Sequence, residues 1–143
     1  MAYDCTINGK TFFLSHAGIT IGWYKQHLNI FGRSFSETLN AKYINQLYSK
    51  RMLDRALNNV SHYRNGPDKC GSIVWAGIYE HAEVDSDHNT DVIQIVGHSQ
   101  LIESPLLIKQ NYLIYDVDIR QCVYLDTQGD LCCLKTGGKY VFD

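Results

Sequence analysis

The sequence is short of prolines, with only Pro67 and Pro105, and it has no pair of cysteines in C-x-x-C spacing. Five cysteines, Cys5, Cys70, Cys122, Cys132 and Cys133, are an odd number. Adjacent residues on a strand point to opposite faces, so Cys132 and Cys133 suit neither a shared metal nor a mutual disulfide. Free buried thiols in a reducing compartment are expected. A basic excess is also lacking: 13 Lys and Arg stand against 15 Asp and Glu, a net charge of −2. That balance excludes a dedicated binder of nucleic acid or anionic membrane, because nothing neutralises phosphates. No apolar run approaches the roughly 20 residues that a membrane helix needs. The first residues carry neither a basic segment nor a long apolar one, so no signal peptide is expected and the cytoplasm is the expected compartment.

What is present is the composition of a globular chain: 143 residues, 45% hydrophobic and 20% charged, the size of one domain spanning 1–143. Residues 4–7 and 11–15 flank Asn8-Gly9, the strongest short hairpin signal. A first helix is expected over about 21–28. A long one begins at Ser34, where Ser34-Phe35-Ser36-Glu37 has the capping-box pattern. Leu39, Tyr43, Ile44, Leu47, Leu53, Leu57 and Val60 continue it at helical spacing to about residue 60, with a break near 49–52. Lys50, Arg51 and Arg55, interrupted by Asp54, are expected on a solvated helix face. Residues 61–71 form a polar loop, and an acidic loop is expected over 80–91. Short strands are expected at 92–96, 106–109, 112–115, 122–126, 130–134 and 139–142. Strands so closely spaced, with no helix between them, pair antiparallel. The expected class is α+β, two helices on a largely antiparallel or mixed sheet.

Two segments share one pattern. Phe12 to Leu14 is apolar and leads to Ser15-His16-Ala17-Gly18, and the strand 92–96 leads to Gly97-His98-Ser99. A histidine just past a buried strand has a rigid support, as a ligand needs. The glycines beside it admit close approach. Neutral imidazole suits borderline divalent metals. Taken singly, each histidine reads more readily as a hydrogen-bonded structural residue; taken together, with a matching strand–histidine–small pattern, the two readings balance.

Ser15-His16-Ala17-Gly18 resembles the middle histidine motif of calcineurin-like metallophosphoesterases, in the branch of serine/threonine and diadenosine tetraphosphate phosphatases. Gln94 to Ser99 resembles that branch's Gly-His-Thr motif. Gly71 to Ala76 resembles the segment before the last catalytic strand, and Asn111 to Asp116 the strand that follows. The four stand in the family's order, over about residues 11–134. The resemblance implies half of an α/β/β/α sandwich, the C-terminal half. It also implies a dinuclear centre of Mn, Fe or Zn, in which His16 and His98 bind the same ion. The family's remaining ligands come from Asp-x-His, Gly-Asp-x-x-Asp and Gly-Asn-His-Glu/Asp motifs N-terminal to the middle histidine. None of these occurs here, and Asp4 is the only acid before His16. Two departures stand beside these. Trp75-Ala76-Gly77-Ile78-Tyr79-Glu80 lacks the arginine that relatives place after the tryptophan, Arg64 lying too early and Arg120 too late. Asp116-Val117-Asp118 stands where the family has Asp-Thr-Gly.

The resemblance therefore implies metal-dependent phosphoester hydrolysis only when an N-terminal half completes the site. The alternative is a non-catalytic assembly or binding module on the same half-fold. An isolated half exposes an apolar face or a strand edge, so the expected partner is a second copy or a complementary N-terminal-half polypeptide. Of the other candidates, His81 and His88 lie among Glu80, Glu83, Asp85, Asp87 and Asp91, a solvated loop with no EF-hand spacing. His27 and His62 are expected at helix ends. Cys70 carries no nucleophile signature. Trp23, Trp75 and the ten tyrosines are expected in the core and on a sheet surface.

Overall fold

The computed structural model describes residues 1–82, 90–101, 106–109, 113–117, 122–134 and 136–141. Strand β1 (Ala2–Ile7) and strand β2 (Lys10–Ser15) form the expected hairpin, with Asn8 and Gly9 at φ 49° and 76° in the turn. Positive φ at both central residues is what the Asn-Gly pair supplies at little cost.

From β2 the chain enters helix α1 (Ile21–Gln26), where the Thr20 hydroxyl accepts from the Trp23 N–H at 3.1 Å. The helix expected over 21–28 stops early. His27 leaves helical geometry, and a separate turn α2 (Leu28–Phe31) closes on Gly32 in the left-handed region. The long helix is likewise divided. Ser34 and Glu37 make the reciprocal capping box of α3 (Phe35–Thr38), as expected. Asn40 then caps a new helix, α4 (Ala41–Ser49), by accepting from the Tyr43 N–H at 2.9 Å. An N-cap needs extended backbone, so capping at Asn40 breaks a helix whose apolar spacing runs straight through it. Beyond α4, residues 50–55 are turn, followed by a short 3₁₀ segment, Ala56–Asn58. Lys50, Arg51 and Arg55 are solvent-exposed, on that turn rather than on a helix.

Strands β3 (Val92–Val96), β4 (Leu106–Lys109) and β5 (Leu113–Asp116) join the hairpin in a five-stranded sheet of order β1-β2-β3-β5-β4. Here the antiparallel expectation gives way to a mixed sheet, because β3 runs parallel to both β2 and β5. The parallel crossover from β2 to β3 is the whole helical stretch between them, consistent with the long connection parallel strands need. Strands β6 (Val123–Leu125), β7 (Leu131–Cys133) and β8 (Lys139–Tyr140) form a separate antiparallel sheet. The class is α+β.

Alternation along β2 and β3 divides the interior in two. Phe13 and Val96 face the helices and join Ile19, Trp23, Phe31, Ile44, Leu53 and Ile73. Phe12, Ile93 and Ile95 face the other way and pack on Leu131 of β7. Helices therefore cover one face of the large sheet and the small sheet covers part of the other, so its central strands are apolar on both sides. Lys10 of β2 reaches Asp130 at 3.3 Å, tying the two sheets by charge, and within the small sheet Lys139 of β8 bridges Asp126 at 2.9 Å and Asp130 at 2.8 Å. The five cysteines are free; Cys122 is exposed and Cys5 half-buried, so only three of the thiols are buried as expected. Among the described residues no helix is long and apolar enough to cross a membrane.

Candidate functional site

β2 and β3 lie side by side in parallel, Leu14 opposite Ile95. The residues that follow each strand therefore emerge together at the carboxyl end of the sheet. There the Gly97 N–H donates to the His16 carbonyl at 2.9 Å. The rings meet: His98 Nδ1 lies 2.7 Å from His16 Nε2, and their centroids are 4.5 Å apart, edge to face. Sequence separation of 82 residues is thus closed to one hydrogen bond. His16 is exposed and His98 half-buried. His16 also lines, with Tyr3, Leu14 and Gly97, an open depression of about 410 Å³.

The segment after His16 is held through the backbone of Ala17, Gly18 and Ile19. The Ala17 N–H donates to the Ile73 carbonyl at 2.9 Å, and the Gly18 N–H to the Ser15 hydroxyl at 3.1 Å. Gln94, fully buried on β3, grips Ile19 with both ends of its amide: its Oε1 accepts from the Ile19 N–H at 2.8 Å, and its Nε2 donates to the Ile19 carbonyl at 3.1 Å. The Ala17 carbonyl accepts from His81 Nε2 at 2.8 Å. A carbonyl only accepts, so Nε2 carries the proton. Buried polar groups so satisfied fix a loop as firmly as a strand. Gly18, at φ 84°, passes so close that a Cβ there would stand 2.7 Å from His81 Cε1.

His81 and its neighbour correct the expectation of a solvated loop at this point. His81 is 1% exposed and Glu80 4%. Burial pushes the imidazole of His81 down to about 4, against the opposing pull of its bond to Ala17 and the charge of Glu80. Glu80 accepts from the Ser61 hydroxyl at 2.6 Å and from the N–H groups of Gly77 and Gly71, both at 2.7 Å. Three donors compensate a carboxylate taken out of water. Glu83, Asp85, Asp87 and His88 lie outside the described residues, as do Tyr112, Asp118 and Arg120.

Two further side chains flank the pair. Trp75, expected with the other aromatics in the core or on a sheet surface, is 44% exposed, its ring perpendicular to that of His98 at 6.1 Å between centroids. Arg64, too early in sequence for the position after the tryptophan, lies beside that segment in space. Its Nη2 donates to the hydroxyl of Ser99, next to His98, at 3.0 Å, and the same hydroxyl accepts from the Ile78 N–H at 3.0 Å. No local pattern signals this, because the contact depends on how 61–71 folds back over 77–80. His27 bonds the Asn59 side chain at 2.8 Å, and His62 lies over Tyr63. Among the described residues no three His, Cys, Asp or Glu side chains converge on one point. Trp23 is fully buried, as expected.

No family model, curated protein or solved structure matches the chain.

Proposed function

We propose that these residues carry the two-histidine portion of a calcineurin-like metallophosphoesterase centre, with His16 and His98 ligating one divalent ion of Mn, Fe or Zn. The remaining ligands come from polypeptide outside these 143 residues. The observation that supports this is the 2.7 Å approach of His98 Nδ1 to His16 Nε2 at the carboxyl ends of adjacent parallel strands. Two imidazole nitrogens on one ion, each at about 2.0–2.1 Å, stand about 2.8–3.4 Å apart for angles between octahedral and tetrahedral. An opening of a few tenths of an ångström converts the pair into a chelate, and the hydrogen bond preorganises it. Imidazole suits Zn and Fe, while Mn would draw mainly on the carboxylates that complete the site.

The pair alone falls short of the three or four protein ligands of a zinc site, so tight binding and turnover require the added ligands. A bound ion of this kind polarises a phosphoryl oxygen and makes water a better nucleophile. The chain's own part is positional. Gln94, His81 and the Gly97 N–H keep the two ligand loops in register, and Trp75 shields one edge of His98.

A second reading is a non-catalytic module that associates with a second copy or with a complementary polypeptide. It is favoured by the direct bond between the histidines, which satisfies one nitrogen of each without an ion. Calorimetric titration with Mn²⁺ or Zn²⁺ separates the two. The metallophosphoesterase reading expects binding that weakens at least tenfold in His98→Ala and falls with pH as protons compete. Binding unchanged by that substitution overturns it. Hydrolysis of p-nitrophenyl phosphate is then measured with the chain alone and with the missing acidic motifs supplied.

A further inference from the structure

Arg64 is half-buried, yet among the described residues it forms no ion pair with a carboxylate. Glu80, which like Arg64 lies beside Gly77, gives its oxygens to Ser61, Gly71 and Gly77. The guanidinium has five N–H donors and gives one bond to Ser99. A half-buried cation with donors to spare, facing a cleft, is suited to an oxyanion, and a planar fork matches phosphate with two parallel bonds.

Its surroundings select further. Arg64 lines a cleft of about 370 Å³ with Tyr63, Gly77, Tyr79, Ser99 and Gln100. That volume sits at the small end of the range for ligand sites, about 300–1,000 Å³. Tyr63 is 60% exposed and Tyr79 76%, large apolar area left in water at the rim of a cationic site. Aromatic faces of this kind take flat rings. The Ser99 hydroxyl, which is 9% exposed with its residue, holds Arg64 and the Ile78 N–H at once, so the cleft is built into the chain beside His98.

We propose that this cleft binds a phosphate monoester carried on an aromatic group, with Arg64 taking the phosphate, Ser99 positioning Arg64, and Tyr63 and Tyr79 contacting the ring. Binding here needs no metal; placing the bound phosphate as substrate rests on the phosphoesterase reading. The sources sharing this chemistry are a nucleotide and a phosphotyrosine side chain.

The test is calorimetry on the metal-free full chain with phenyl phosphate, adenosine monophosphate, phosphotyrosine, glycerol 2-phosphate and inorganic phosphate. The aromatic esters are expected to bind at least tenfold tighter than glycerol 2-phosphate, and the better of adenosine monophosphate and phosphotyrosine names the source. Arg64→Gln is expected to weaken every phosphate at least tenfold. Tyr79→Ala, at a position 76% exposed, is expected to erase the aromatic preference while sparing inorganic phosphate. Ser99→Ala is expected to lower phosphate affinity, and Arg64→Lys to recover little of what Arg64→Gln loses, since a point charge lacks the fork. Equal affinity for aromatic and aliphatic esters overturns the aromatic assignment, and no phosphate binding in the folded wild-type chain overturns the site. His98→Ala is expected to leave this binding intact while removing metal, so failure of either proposal is seen apart from the other.

Discussion

Acid should loosen this protein through one buried ring. His81 is neutral in the folded chain and held down to about 4 by burial, whereas in the unfolded chain it titrates near 6.5. The unfolded state therefore binds the extra proton first, and stability falls as pH drops from about 6.5 to about 4, being fully present above 6.5. At about 1.4 kcal/mol per pH unit across that window the loss is roughly 3 kcal/mol. For a chain of this size that is a large share of a total of about 5–15 kcal/mol. The measurement is urea unfolding at pH 7.5, 6.5, 5.5 and 4.5 on wild type and His81→Gln, which keeps an N–H for the Ala17 carbonyl but does not titrate. Wild type is expected to lose about 2–3 kcal/mol more than the variant between pH 7.5 and 4.5. Parallel curves refute the reasoning. Should the glutamine variant fold poorly, the His81 ring is followed by NMR in wild type; a midpoint near 6.5 gives the same refutation. Because His81 also holds the Ala17 carbonyl, protonation should disturb the loop of His16 before the fold is lost.

Gly18→Ala combines a left-handed backbone with a 2.7 Å clash on His81, and should cost about 2–4 kcal/mol in denaturant unfolding. A loss under about 0.5 kcal/mol contradicts the packing described. Ser34→Ala removes the cap of α3 and should cost about 1 kcal/mol, read the same way. At lower pH a second step is expected. Asp126 is held down to about 2, first by its bond to Lys139 and then by the N–H of Asp130, so its contribution is present above the usual carboxylate range and is lost only as pH falls towards 2. Lys139→Met should return Asp126 towards its ordinary value in an NMR titration, and an unmoved midpoint shows that the ion pair is not the cause. Glu80→Ala strands the N–H groups of Gly71 and Gly77 and should destabilise by about 2–4 kcal/mol, with looser metal and phosphate sites; wild-type stability would show the three bonds to be dispensable.

What local chemistry dictates was legible in the sequence. Asn8-Gly9 makes its turn and Ser34 with Glu37 makes its box, since both rest on residues within three positions. The rule that short, closely spaced strands pair antiparallel holds for β4 with β5 and for the second sheet. It fails for β3, whose neighbours are chosen by the helical crossover rather than by its own spacing. The break at Asn40 was hidden because apolar periodicity records which residues are buried, not whether the backbone between them is continuous. His16 and His98 stood out through repeated strand–histidine–small syntax. Arg64, Glu80 and the buried His81 did not, since their partners, Ser99, Ser61, Gly71 and Ala17, are distant in sequence and their own neighbours are polar.

The parallel β2–β3 pairing acts as a vernier. One residue along a strand is about 3.3 Å, so a single-step slip between the two carries His16 and His98 out of reach and turns Phe12 and Phe13 to the wrong faces. Only one alignment gives both a filled interior and a closed histidine pair, and that pair joins chain segments 82 residues apart. If the proposed metal site is present, its affinity is a register gauge: a chain that chelates through His16 and His98 has its central strands correctly aligned, whereas compactness alone reports nothing of register.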